Sequence, residues 1–469
     1  MRKSYGHICF MAVAFTIGAT LATHAQEFFR DYGTSRSSGG IGLVTPSDYS
    51  YQDASPSGLQ PLRPGQDLTA VELEEENNKY NFAVGPVRFA IAVGIGIEFN
   101  DNITLSEHDR QSDFILRPNL DLQATWRLSD LNTLHINVGI SYAKYFDHSQ
   151  YDTRGLLISP NSDIALTFFT GPVKWTVRDR LSYQEDSYDL PVLSNVAVYR
   201  RWENQAGIEG DWAINQKLDL KGGYDHYNLW TVGNDPLFNL QDRSVDTIFI
   251  RPGVLINPAL KVGVNASYSF ISFSSPDRSD GDGLLVGPFI DWQLSDVTNL
   301  HLEGGFQQLS FNGGSNFDNA EINQLGLSAS DAAAVQQILQ DNSDSNSWYL
   351  KFEIDNKPTE FFTQRLSFSK TAEVGFGSDF FTLYHVEYNA DWKAAPHVEV
   401  GPSLFYEYYT TSGDLGEKAY RIGAALGIRY HFNNSFTVGL DYRYLYKNSD
   451  LVDSSYYQNL VFLSAYYKF

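Results

Sequence analysis

The chain has 469 residues, a formal charge of −22, 14% aromatic and 19% charged residues, and a mean hydropathy of −0.30. The acid excess excludes nucleic-acid binding through clustered Lys and Arg, and a single Cys, Cys9, excludes a disulfide scaffold, a thiolate metal site and a cysteine nucleophile in the body of the chain. With no apolar run of about 18 residues beyond the first 25, spanning helices are excluded, and the aromatic content excludes a disordered chain. A large soluble β protein or a membrane β-barrel remains.

Residues 1–25 open with Arg2-Lys3, continue through the apolar, small-residue stretch Ile8–Ala22 and end at Thr23-His24-Ala25. This is the layout of a secretory signal peptide, and export is the expectation. Residues 26–86 are rich in Ser, Gly, Pro and Gln and carry the acidic run Val71-Glu72-Leu73-Glu74-Glu75-Glu76. They show neither a period of 2 nor one of 3.6, so an irregular segment is expected, periplasmic or plug-like.

From residue 87 to 469 the pattern is period 2. Val87, Phe89, Ile91, Val93, Ile95, Ile97 and Phe99 alternate with Arg88, Ala90, Ala92, Gly94, Gly96 and Glu98. The same alternation runs through 114–128 and 418–432. Successive side chains of a strand point to opposite faces, so each segment has one apolar face and one polar or small face. Eighteen such segments follow one another, most of them longer than the usual soluble strand and long enough to cross a bilayer at a tilt. The weakest patterns fall in 173–183, 198–212 and 361–371.

Connections alternate between short ones, such as Asn257-Pro258 and Asn433-Asn434, and longer acidic ones, the longest near 312–346. That alternation is expected when every second turn faces the periplasm. Trp126, Trp175, Trp212, Trp292 and Trp392 fall near the periplasmic ends of their segments, and Trp202, Trp230 and Trp348 near the outer ends, as interfacial girdles do. The tract 329–340 reads as a short helix capped by Ser330 or Asp331. The final row Val461, Leu463, Ala465, Tyr467, Phe469 resembles the closing strand by which bacterial outer-membrane barrels are recognised by their assembly machinery, which makes that machinery an expected partner alongside outer-membrane lipid and lipopolysaccharide. The fold expected is all-β: a transmembrane antiparallel up-and-down β-barrel of about 18 strands over 87–469, in the outer membrane of a Gram-negative-type bacterium.

Gly96–Thr104, containing Phe99-Asn100-Asp101-Asn102-Ile103, followed by Asp113-Phe-Ile-Leu-Arg-Pro-Asn-Leu120, resembles the opening of the β-barrel porin 2 family. The resemblance implies a porin-like barrel without catalytic residues. It also implies an association with exopolysaccharide export, and hence with periplasmic export components.

The polar rows predict the lumen wall: Arg88, Arg117, Arg178, Arg421 and Arg429 against Glu98, Asp121, Glu303, Glu387 and Glu399, among others of both signs. A wall of both signs pairs its charges across strands and lines an aqueous path. Three pairs at i and i+2, His301/Glu303, His385/Glu387 and His397/Glu399, are predicted to point inward, as a metal site or an acid–base pair requires, with wall hydrogen bonding as the competing expectation. The acidic outer loops suit divalent cations that bridge to surface glycans. Phe405, Tyr409, Phe462 and Tyr466 face inward and offer either sugar stacking or packing against a plug. The chain contains no Gly-x-Ser-x-Gly elbow. Passive passage of a polar solute or polysaccharide, with no cofactor and no enzyme activity, is the function expected. A surface-structural or glycan-binding barrel with a blocked lumen is the alternative, and a barrel hydrolase a third.

Overall fold

The computed structural model describes residues 80–469, apart from 188–189, 234, 277, 313–342, 377 and 414–415. The signal peptide expected over 1–25, the acidic run 71–76 and the helix expected at 329–340 lie outside the described residues. Strand β1 (Phe82–Val84) is a short arm. The staves of the barrel follow: β2 (Val87–Asn100), β3 (Asp113–Ser129), β4 (Asn132–Ser141) continued by β5 (Lys144–Tyr145), β6 (Leu157–Ile158) with β7 (Asp163–Thr170), β8 (Val173–Gln184) and β9 (Arg201–Ala213). Then come β10 (Leu218–Thr231), β11 (Arg243–Asn257), β12 (Leu260–Phe273), β13 (Gly281–Ser295), β14 (Thr298–Phe311) and β15 (Ser345–Thr359). The last six are β16 (Phe362–Val374), β17 (Phe380–Ala395), β18 (Val398–Thr411), β19 (Lys418–His431), β20 (Phe436–Ser449) and β21 (Tyr456–Lys468). Each stave pairs antiparallel with the next, and β21 pairs antiparallel with β2, so eighteen staves close into one barrel.

Every expected segment is present, including the three with weak patterns. The interruptions in the third and fourth staves fall where β4 gives way to β5 and β6 to β7. Exposed apolar side chains form the outer row, for example Val93, Ile95 and Ile97 on β2 and Leu426, Ile428 and Tyr430 on β19. Buried polar side chains form the inner row, for example Arg117, Asn119 and Thr125 on β3. This inversion of the soluble pattern is what a bilayer selects. The apolar row breaks on β8–β11, where Asp179, Asn204, His226 and Asp246 point outward. These groups bond to one another, Asn204 Nδ2 donating to Asp179 at 2.5 Å and His226 Nδ1 lying 2.7 Å from Asp246 Oδ1, as polar groups at membrane depth must.

One end of the barrel carries turns of two to four residues and the other the longer loops. Five staves shift register by a bulge just before their short turn, at Arg127/Ser129, Leu255/Asn257, Gln293/Ser295, Asn356/Thr359 and Lys393/Ala395. In four of them the residue after the bulge, Ser129, Asn257, Ser295 or Thr359, accepts from the backbone N–H two residues on. This local bond closes a tight turn without a partner strand.

The seam between first and last staves is asymmetric. β2 pairs with β3 over its whole length, but with β21 only from Ala92↔Lys468 to Asn100↔Leu460. The five residues of β2 left over would present an open edge. β1 covers them, pairing Phe82↔Phe89 through Val84↔Val87, and Asn81 Nδ2 donates to the Ile91 carbonyl at 2.6 Å. The boundary expected at residue 86 therefore falls inside a hairpin, and the barrel wall begins by residue 81. Tyr80 turns inward, its hydroxyl donating to Thr125 Oγ1 at 3.0 Å.

At the other end of the seam stands Phe99-Asn100-Asp101-Asn102-Ile103. Asn102 is fully buried. Its Nδ2 donates to the carbonyls of Ser106 and Tyr457, both at 2.9 Å, its Oδ1 accepts from Ser106 N at 3.0 Å, and its own carbonyl accepts from Gln458 Nε2 at 3.0 Å. The Asp101 carboxylate accepts from Asn459 N at 2.6 Å and Asn459 Nδ2 at 2.7 Å. The motif is a clasp that ties the first loop to the last strand.

Candidate functional site

All ten predicted wall residues lie on the inner row, and their charges are mostly compensated by neighbours one or two strands away. Arg117 Nε donates to Glu98 Oε2 at 2.7 Å, Arg421 Nη2 lies 2.6 Å from Glu407 Oε2, and Arg429 Nη2 lies 2.8 Å from Asp441 Oδ1. Arg178 reaches over Gly207 on β9 to Asp225 on β10, at 3.1 Å. Asp121 accepts from Asn119 Nδ2 at 3.1 Å, and Arg88 stands opposite Thr125. Glu303 accepts from Asn265 Nδ2 at 2.7 Å and from the Tyr349 hydroxyl at 3.2 Å, with Arg251 at 3.9 Å. Glu387 lies 3.6 Å from His385.

Two of the three His-x-Glu pairs point inward as expected. His301 sits between Asp291, at 2.5 Å, and Glu303, at 3.8 Å. His385 sits between Glu407, at 3.2 Å, and Glu387. The third pair does not form. His397 lies in the turn before β18, exposed, with its ring 6.3 Å from that of Tyr430. The imidazole at Glu399 belongs instead to His431 on β19, at 3.2 Å. Alternation holds only within a strand, and the strand begins one residue after His397. The inward placement expected of the His397/Glu399 pair is therefore corrected: only Glu399 lies on the inner row. Among the described residues the one set of three such ligands within 4.8 Å of one another is Glu107, His108 and Asp453, exposed on two loops.

Phe405, Tyr409, Phe462 and Tyr466 are all on the inner row and buried. Three of them lie flat over glycines of neighbouring strands. A Cβ built on Gly423 would fall 1.9 Å from Phe405 Cε1, and one on Gly96 would fall 2.2 Å from Phe462 Cζ; Tyr466 covers Gly94 likewise. One ring face thus packs on backbone, and the His385 ring stacks on Phe405 at 6.1 Å. Gly423→Ala is expected to lower the thermal stability of the detergent-solubilised barrel by about 1–3 kcal/mol, the cost of overpacking, and adding Phe405→Leu is expected to restore most of it. Stability unchanged in the single variant would contradict the close approach.

Tyr409 is covered differently, and its partner is the feature that sequence reasoning missed. The loop between β8 and β9 does not stay outside; its described residues turn into the barrel and cross it. The Tyr409 hydroxyl lies 2.7 Å from Glu417 Oε2 and 3.0 Å from the Pro191 carbonyl. Lys447 Nζ donates to Ser194 Oγ at 2.8 Å, Ser194 Oγ to the Ser454 carbonyl at 2.8 Å, and Asn195 Nδ2 to the Asp453 carbonyl at 2.7 Å. The loop, rooted between the fifth and sixth staves, is thus latched to the far wall.

Its underside is apolar. Leu190, Leu193 and Tyr199 join inner-row residues Tyr227, Leu229, Val245, Ile271 and Leu309 in one buried cluster, each large side chain worth roughly 1.5–3 kcal/mol of burial. Phe238, on the single-turn helix α1 (Pro236–Asn239), and Phe376 pack on the same cluster. Burial pushes the Tyr199 hydroxyl well above the usual phenol range. The run Leu190-Pro191-Val192-Leu193, apolar amid acidic loops, was the available signal.

The site is therefore a constriction near the long-loop end. It is framed by the loop across the lumen and by a wall whose charges are paired, so it can filter by size and offer polar contacts without a strong net field.

No protein-family model matches the chain, and no curated protein matches it. Among solved structures the chain is similar to OpdK of Pseudomonas aeruginosa crystallised with vanillate, at 8% identity and a TM-score of 0.43, over 81% of this chain and 99% of that one. It is also similar to OccK1 (OpdK) of Pseudomonas aeruginosa, at 10% identity and a TM-score of 0.44, over 82% and 99%. A third is OccAB4 of Acinetobacter baumannii, at 13% identity and a TM-score of 0.42, over 84% and 100%.

Proposed function

We propose that the protein is an outer-membrane channel for passive passage of small polar solutes, with the loop after β8 setting the size limit. The observation that carries this reading is a closed eighteen-stave barrel whose inner row is polar and cross-strand paired, with the loop after β8 latched across its bore. A polar wall lowers the desolvation cost of crossing, and the paired charges leave no dominant sign to trap an ion. The crossing loop favours small solutes over a polymer, so the export role implied by the family resemblance gains no support from the barrel's own geometry.

Planar-bilayer conductance tests the reading. The full chain and a form lacking residues 26–79, which keeps β1 on the seam, are both expected to give ohmic, weakly selective steps. Conductance only after the deletion would make 26–79 a plug. Its absence from both forms would overturn the channel in favour of a structural barrel.

A further inference from the structure

Three neighbouring staves of the wall, β12, β13 and β14, gather acceptors with no donor in hydrogen-bonding reach. Glu303 and Asn265 are fully buried on the inner row. Glu303 Oε1 accepts from Asn265 Nδ2 at 2.7 Å and from the Tyr349 hydroxyl at 3.2 Å. The other carboxylate oxygen, Oε2, is buried without a hydrogen-bond partner among the described residues, and so are Asn265 Oδ1 and His301 Nε2. Asn265 can reach β14 across β13 because the residue opposite it there is Gly287, which puts no side chain in the way. Buried polar atoms are almost always satisfied, and a group of exceptions points to a bound water or ion.

The acceptors are also oriented. Asp291 Oδ1 lies 2.5 Å from His301 Nδ1, so in the neutral ring Nδ1 carries the proton and Nε2 presents its lone pair. A carboxylate behind the imidazole is the arrangement that fixes ring and tautomer in a metal-bound histidine. His301 Nε2 and Glu303 Oε2 are 3.8 Å apart, too far for a hydrogen bond. A shift of a few tenths of an ångström brings them to the roughly 3.4 Å that separates two ligands of a tetrahedral zinc ion. Of the cations nearby, Arg251 lies over the Phe289 ring at 3.8 Å, 3.6 Å from Asp291 Oδ2 and 3.9 Å from Glu303 Oε2. It offsets one of those two carboxylates and leaves the other. Lys261 is engaged by Asp219 at 2.5 Å. Glu353, opposite His301 on β15, has Arg365 at 3.8 Å.

We propose that His301 Nε2, Glu303 Oε2 and Asn265 Oδ1 bind one divalent transition-metal ion, zinc or a neighbour in its row, with Asp291 and Tyr349 holding the ligands in place. The imidazole favours such an ion over calcium or magnesium, which prefer oxygen alone. The His301 side chain is 23% exposed, which opens the site to the lumen and leaves the fourth position to water. The ion is held by coordination rather than by a net field, so the site is compatible with a wall whose charges are otherwise paired. It goes beyond the channel reading and stands whether or not the barrel conducts.

Isothermal titration of the detergent-solubilised, tag-free full chain with zinc chloride tests the site. A His108→Ala background keeps the exposed set Glu107, His108 and Asp453 from adding a second one. One zinc per chain is expected, undisturbed by a large excess of magnesium. His301→Gln and Glu303→Gln are each expected to weaken zinc roughly 100-fold or more, and Asp291→Asn roughly 10-fold, as loss of an orienting partner does. Arg251→Gln is expected to tighten zinc several-fold, because it removes a competing charge. Anomalous scattering from zinc-soaked crystals is expected to place the ion between His301 and Glu303. Should a ligand variant fail to run as the compact form on a gel, Asn265→Ala, which leaves imidazole and carboxylate in place, is expected to weaken zinc in the same direction. Unsaturable zinc would overturn the site, and so would affinity unchanged in the folded ligand variants or an anomalous peak elsewhere on the barrel.

Discussion

Replacing residues 190–198 with a short Gly-Ser linker is expected to raise single-channel conductance severalfold and to admit larger neutral solutes. The bonds that latch the loop across the bore are lost together: Pro191 with Tyr409, Ser194 with Lys447 and Ser454, and Asn195 with Asp453 and with the Leu105 carbonyl. The staves themselves are untouched, because β8 and β9 pair with each other from Val173↔Trp212 to Gln184↔Arg201. The barrel should therefore fold, though with a lower melting temperature, since the inner-row residues Leu229, Val245 and Leu309 lose apolar cover. Lys447, fully buried, keeps Glu417 at 3.0 Å and does not become an isolated buried charge. Liposome swelling with sugars of graded size measures the change in cut-off. An unchanged cut-off would place the limiting constriction elsewhere and remove the central element of the channel reading.

The barrel was legible because the bilayer imposes a rule on every second residue over hundreds of positions. A single misread residue, such as the polar Asp179 or His226 on the outer row, cannot mask it. The ten wall residues were legible for the same reason, parity along one strand. Their partners were less so. Asp225 meets Arg178 only because β8, β9 and β10 stand side by side with a glycine between. His431 replaces His397 at Glu399 because the turn consumes one residue more than alternation allows. The crossing loop was the least legible, since Ser194 and Lys447, or Asn195 and Asp453, become neighbours only when the barrel closes. No periodic signal links residues more than 250 positions apart.

Asn102→Ala is expected to cost the barrel about 3–5 kcal/mol and to lower the temperature at which it unfolds in detergent by far more than Asp101→Ala. The two residues are adjacent in the motif that carries the family resemblance, yet their surroundings differ. Asp101 is only partly buried, and its carboxylate meets donors that water can satisfy once it is gone. Asn102 is fully buried, and its side chain alone pairs the carbonyls of Ser106 and Tyr457 and the amide of Ser106. Truncation strands these backbone groups away from water, at roughly 1–3 kcal/mol each, with partial relief as the loop relaxes. Location amplifies the effect. Beyond Asn100↔Leu460 the ladder gives way to the backbone bond from Asp101 N to the Asn459 carbonyl at 3.1 Å, and past it the bonds from Asn102 to Tyr457 and Gln458 continue the closure of the sheet by side chain and turn. A seam loosened there exposes strand edges, the state from which barrels open. Heat-modifiable migration on a gel reads closure directly: the wild type should run as the compact form to a higher temperature, Asp101→Ala slightly lower, and Asn102→Ala markedly lower. Asn102→Asp keeps the oxygen that accepts from Ser106 but sets its second oxygen against two carbonyls in a buried place, and should lose at least as much as Asn102→Ala. Equal loss in the Asp101 and Asn102 variants would mean that the motif holds only its own loop, and that the seam is secured by the Ala92–Asn100 ladder alone.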